Sequence, residues 1–108
     1  MITEKDILKD TLLEQMKNLF LHYNINKVIL FGSRARGDNK RNSDFDFVIF
    51  ADEMSELERA RFCLEVEDND TLFKVDILFY NEDLDKKLKE NIIREGQVIY
   101  ERIRDKTS

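Results

Sequence analysis

Two aspartates, Asp44 and Asp46, stand one residue apart. Alternate residues of a strand project to the same side, so both carboxylates can grip one cation. Ten residues upstream lies Gly32-Ser33, directly after the apolar run Val28-Ile29-Leu30-Phe31. A glycine at the end of a strand lets backbone N–H groups approach phosphate oxygens closely, and the serine hydroxyl adds a donor. Arg34 and Arg36 follow and supply charge-assisted donors for the same anion. A third aspartate, Asp76, interrupts the run Val75-Asp76-Ile77-Leu78-Phe79, where an unpartnered charge is costly. Three hard oxygen ligands suit Mg²⁺, and two such ions stabilise the attacking and leaving oxygens of an in-line phosphoryl displacement.

Each piece alone is ordinary. A single aspartate on a strand is usually solvated or salt-bridged, and most Gly-Ser pairs are plain turns. The combination narrows the chemistry. An EF-hand is excluded because its glycine and terminal glutamate are missing, and a Walker loop because no Gly-Lys-Ser/Thr follows the turn.

The elements that must hold these residues follow from periodicity. Leu8, Leu12, Met16, Leu19 and Tyr23, widened by Leu13 and Phe20, predict a first helix, with Thr3 and Asp6 placed for its N-terminal cap. Residues 27–31 read as a buried strand and 44–50 as a second, with Asp44, Asp46, Val48 and Phe50 on one face and Phe45, Phe47 and Ile49 on the other. Ser55 and Glu58 form a capping box for a second helix over about 56–67, with Leu57, Ala60, Cys63 and Leu64 as its expected stripe. Residues 72–80 read as a third strand, with Asp76 sharing a face with Lys74 and Leu78. Asn81 or Asp83 is placed to cap a third helix carrying Leu84, Leu88 and Ile92; Gly96 ends it, and Val98-Ile99-Tyr100 adds a short strand. This order predicts an α/β (α+β) fold, a small mixed β-sheet flanked by helices, with the strand directions left open.

Composition bounds the partners. The 108 residues suffice for one core, placed over 1–103 with a polar tail at 104–108, and eight phenylalanines with 42% hydrophobic residues exclude a disordered chain. Charged residues reach 38%, and 23 acidic against 18 basic side chains leave a net charge of −5. A polynucleotide binder needs a basic face, so stable binding of long nucleic acid is not expected. One cysteine, Cys63, excludes an internal disulfide and fits a reducing cytoplasm. No run approaches the roughly 20 apolar residues of a membrane span, and the start of the chain lacks a signal-peptide layout. His22 reads as solvent-facing, and Phe45, Phe47 and Phe50 read as core. Lys40, Arg41, Lys86, Lys87 and Lys89 read as solvated charge.

Phe31-Gly32-Ser33-Arg34-Ala35-Arg36-Gly37 followed by Ser43-Asp44-Phe45-Asp46-Phe47 resembles the nucleotidyltransferase pattern of Gly-Ser, ten residues, Asp-x-Asp. The fit is to the minimal nucleotidyltransferases, the MNT-type antitoxins paired with HEPN ribonuclease toxins, within the DNA polymerase β-like superfamily. It extends to Asp76 and to Arg94-Glu95-Gly96 with Val98-Ile99-Tyr100. The resemblance implies Mg²⁺-dependent transfer of AMP from ATP to a tyrosine hydroxyl of a cognate HEPN toxin, which neutralises it. It implies that Gly32, Ser33, Arg34 and Arg36 bind the nucleotide and that Asp44, Asp46 and Asp76 are the catalytic metal ligands, of two Mg²⁺ ions. Two rival readings stand beside it: neutralisation by complex formation alone, and nucleotidyl transfer to a small molecule.

Overall fold

Runs of β-branched and aromatic residues assemble one sheet in the computed structural model, which describes residues 4–31, 45–68 and 74–102, with side chains from residue 11 onward. The strands are β1 (Lys27–Phe31), β2 (Phe45–Phe50), β3 (Val75–Phe79) and β4 (Gln97–Glu101), in the order β3-β2-β1-β4. β1 runs antiparallel to both β2 and β4, and β2 runs parallel to β3. Among the described residues three helices flank the sheet: α1 (Glu4–Leu21), α2 (Glu56–Asp68) and α3 (Lys86–Glu95). The mixed sheet flanked by helices is the architecture expected from the element order. Parallel neighbours need a long crossover, and α2 supplies it between β2 and β3.

The central strands are covered on both sides. Val28 and Leu30 of β1 and Phe45, Phe47 and Ile49 of β2 join Leu12, Met16 and Phe20 of α1 and Phe62 and Val66 of α2 in the larger core. Phe20 meets Phe47 edge-on at 6.0 Å between ring centroids, and Phe62 meets Tyr23 at 5.3 Å. Such pairs contribute about 0.5–1.5 kcal/mol each beyond their buried area. The alternate residues, Ile29 and Val48, form a smaller core with Ile92 of α3, flanked by Phe31, Phe50, Leu78, Tyr80 and Leu88. α1 and α2 therefore cover one face of the sheet, and α3 partly covers the other.

Two expectations are corrected. The stripe assigned to α2 is outward at three of its four residues: Leu57 is 69% and Leu64 62% exposed and Ala60 is exposed, Cys63 alone packs against the larger core, and the buried residues are Phe62 and Val66. Arg59 lies on the inward side, its guanidinium 5.0 Å from the centre of the Phe79 ring and donating to the Ala51 carbonyl oxygen at 3.3 Å. The cap of α3 is neither Asn81 nor Asp83 but Asp85, whose carboxylate accepts from the Leu88 N–H at 3.3 Å. Asn81 instead accepts from the Asp83 N–H at 2.8 Å, bending the chain ahead of the helix. The box at α2 forms as expected: the Glu58 N–H donates to Ser55 Oγ at 3.1 Å, and that hydroxyl donates to Glu58 at 3.3 Å.

Gly96 closes α3 for a packing reason. Its φ of −75° suits any residue, but a Cβ there would collide with Ile29 Cγ2 and the Ile92 carbonyl oxygen. The glycine lets α3 end directly against β1. His22 is exposed, with Nδ1 2.7 Å from the Asn18 carbonyl oxygen, and Cys63 is partly buried at the rim of the larger core. Among the described residues no helix is long and apolar enough to cross a membrane.

Candidate active site

Strand register brings two of the sought carboxylates together. Asp46 pairs with Asp76 across the parallel β2–β3 ladder, and Phe31 of β1 pairs with Asp46 from the other side. Paired neighbours in adjacent strands lie about 4.8 Å apart with side chains on the same face. That face is the one α3 partly covers, because Val48 and Leu78, two residues along from the aspartates, pack in the smaller core.

Successive rows of residues therefore cross this face. The first holds Phe31, Asp46 and Asp76; the second holds Ile29, Val48 and Leu78. Beyond them Phe50 stacks on Tyr80 at 4.4 Å, with the Lys27 ammonium 4.7 Å from the Phe50 ring centre. The face thus passes from anionic to aliphatic to aromatic within a few residues. Its anionic end opens into a cavity of about 260 Å³ lined by Phe31, Asp46, Val48, Asp76, Leu78 and Leu88. Phe47 and Ile77 also border it, although the alternation of the strands sends their side chains to the larger core.

Asp76 is exposed, and this corrects the expectation of a charge embedded in an apolar strand. β3 is an edge strand, and α3 leaves its aspartate uncovered while shielding the centre of the sheet. Asp46 is half-buried on β2, flanked in sequence by the fully buried Phe45 and Phe47. Rigid neighbours on a central strand thus fix one carboxylate, and the second remains accessible to a large reactant.

The donor set suits a hard divalent cation. Two carboxylates on adjacent strands share one face beside an open cavity, and like charges so placed gain from a shared cation. Among the described residues no group of three His, Cys, Asp or Glu side chains forms a metal cluster. The expected third ligand, Asp44, lies outside the described residues, as do Gly32, Ser33, Arg34 and Arg36. Phe31, Leu78 and Leu88 were not singled out as site residues by their types. Strand alternation from Asp46 and Asp76 points to Leu78, and the stripe Leu84-Leu88-Ile92 contains Leu88, but both patterns read equally well as packing.

A family model described as polymerase beta, nucleotidyltransferase matches residues 14–105. No curated protein matches the sequence. Among solved structures, the fold is similar to that of a toxin–antitoxin with AMP-PNP at a TM-score of 0.63 and 19% identity, over 83% of this chain and 73% of the other. It is also similar to a complex of a tri-AMPylated Shewanella oneidensis HEPN toxin with its MNT antitoxin, at a TM-score of 0.59 and 14% identity, over 87% and 73%. A Sulfolobus solfataricus protein described as a nucleotidyltransferase matches at a TM-score of 0.56 and 19% identity, over 94% and 91%. At these identities the likeness is one of fold.

Proposed function

The chain belongs to the polymerase β nucleotidyltransferase family, its match spanning residues 14–105, and on that premise we propose that it transfers AMP from ATP to a tyrosine hydroxyl of a HEPN toxin and so acts as an antitoxin. The observation that carries this reading is the in-register pairing of Asp46 with Asp76 on an open face of the sheet. An antitoxin fold bound to an AMPylated toxin in Shewanella oneidensis supports the choice of acceptor. The net charge of −5 favours a protein acceptor over a polynucleotide.

In the reaction, the acceptor oxygen attacks the α-phosphorus of ATP. The bond from that phosphorus to the oxygen bridging the α- and β-phosphates breaks, and pyrophosphate leaves with the bonding electrons. The phenolic proton passes to the Asp76 carboxylate and from there to water. Asp76 suits this task because it is exposed and acceptor-only when ionised. Asp46, fixed on the central strand beside Asp76, would hold the divalent cation together with it. Asp44 completes the ligand set, and Gly32 and Ser33, aided by Arg34 and Arg36, hold the triphosphate. Bound Mg²⁺ would neutralise the phosphate oxygens and stabilise the charge developing on the attacking and leaving oxygens.

The test uses the purified protein, ATP, Mg²⁺ and a HEPN toxin from the same genome, with intact-mass spectrometry of the toxin. The expected result is a gain of one or more AMP units, abolished by Asp46→Ala and by Asp76→Ala. An unmodified toxin that is still neutralised, equally by both variants, would refute transfer and leave complex formation as the mode of action.

A further inference from the structure

The cavity beside the carboxylates has a polar end and an apolar end, and that division selects what fits it. Asp46 and Asp76 stand at one end; Val48, Leu78, Leu88 and Phe31 contribute apolar side chains to the rest. We infer that this apolar cleft seats the aromatic ring of the acceptor tyrosine, with Leu88 as a specificity-determining residue; this rests on the function proposed above and adds the location and basis of acceptor choice.

Three features favour a phenol. Two residues along a strand span about 6.6 Å. That is close to the distance by which a tyrosine side chain separates its hydroxyl from its own Cα. A hydroxyl set at Asp76 therefore lays its ring against Leu78, the partly buried residue of the next row, with Leu88 and Phe31 beside it. Second, the ring carries its one polar group at the end where the carboxylates stand. Adenine carries ring nitrogens and an amino group around its edge, and the aliphatic walls would leave several unpaired. Third, a serine or threonine hydroxyl could meet the exposed Asp76 but would leave the apolar part of the cleft unfilled.

Leu88 is held for this role by the cap of its helix. Asp85 accepts from the Leu88 N–H, fixing the first turn of α3, and the side chain packs against the smaller core. At its other end α3 meets the sheet where Gly96 comes close to Ile29 of β1.

The test has a kinetic and a binding arm. Leu88→Ala removes one wall, and Leu88→Phe narrows the cleft; circular dichroism verifies the fold of each. Both variants are expected to raise the KM for the toxin about tenfold, the scale of a lost apolar contact, while the KM for ATP stays within about twofold. A rise confined to ATP, or no rise for either substrate in a folded variant, would overturn the inference. In the binding arm, methyl resonances of Leu88, Leu78 and Val48 are followed by NMR as N-acetyl-tyrosinamide or adenosine is added to the wild-type protein. Shifts with the tyrosine amide that exceed those with adenosine support the ring site; absent or smaller shifts overturn it. Transfer to the toxin is scored separately. Methyl shifts without transfer would retain the ring site and discard the chemistry, and transfer without methyl shifts would do the reverse.

Discussion

Replacing Asp76 with asparagine changes one charge and almost no volume, so it isolates the electrostatics of the paired carboxylates. Asp46 and Asp76 are register partners, about 4.8 Å apart at the backbone. Asp76 is exposed, so a water-like permittivity applies, and the Coulomb repulsion at that separation is about 1 kcal/mol. Salt screening lowers it further, since the Debye length is about 10 Å at 0.1 M and about 3 Å at 1 M. Without divalent metal and at low salt, Asp76→Asn should therefore raise stability by up to about 1 kcal/mol, or about 4–8 °C in Tm for a domain of this size. Mg²⁺ with a non-hydrolysable ATP analogue should invert the order. Ligand at 100 times its Kd stabilises the native state by about 2.7 kcal/mol, and the variant forfeits much of that by losing a carboxylate ligand. Thermal melts followed by circular dichroism, in EDTA and across a Mg²⁺–analogue titration, measure both limbs. An Asp76→Asn protein less stable than wild type in EDTA, or equal gains by both proteins from the metal and nucleotide, would refute the paired-carboxylate account.

Other perturbations test the frame around the site. Gly96→Ala should destabilise by about 1–3 kcal/mol, because its Cβ meets Ile29 and a backbone carbonyl that has little room to move; urea denaturation measures this, and an unchanged midpoint would contradict the close approach. Burial first, and the Glu65 hydrogen bond and charge second, push the Tyr23 hydroxyl above its ordinary 10.0. Its native pKa exceeds the unfolded one, so its contribution is fully present below pH 10 and is lost as pH rises through the raised value. Burial and then the Glu67 charge likewise push the Cys63 thiol above its ordinary 9.0, so part of the alkaline loss begins lower. Melts across this range should show stability falling with pH, and Tyr23→Phe should flatten the upper part of the fall; a variant that tracks wild type there would refute the assignment.

How far the fold was legible depends on how many faces each element buries. α1 packs on one side of one sheet, and its buried Leu12, Met16 and Phe20 read directly from periodicity. α2 misleads because an arginine occupies its inward side, stacked on Phe79, while Leu57 and Leu64 sit outside. A stripe that includes a guanidinium does not register as apolar. The α3 cap was ambiguous because Asn81, Asp83 and Asp85 alternate ahead of the helix, and the one that accepts from a helical N–H is fixed by where the first turn begins. At the site, residue types identified Asp46 and Asp76. Their meeting depended on β2 and β3 being parallel and in register, which arises from the crossover rather than from either strand. Leu88 stayed hidden because a residue that walls a cleft and one that fills a core share the same chemistry.

The parallel pairing of β2 with β3 also has a consequence in time. Asp46 and Asp76 are thirty positions apart and belong to different strands, whereas β1 and β2 are nearer in sequence. Closing the longer loop costs more chain entropy, so the β2–β3 ladder is among the contacts that reward the chain only after α2 has folded back. During synthesis Asp46 emerges before Asp76, and a chain that has formed only β1 and β2 has one of the two carboxylates in place. The pairing of Asp46 with Asp76 therefore waits on the docking of β3, whether or not β4 has yet closed the other edge on β1.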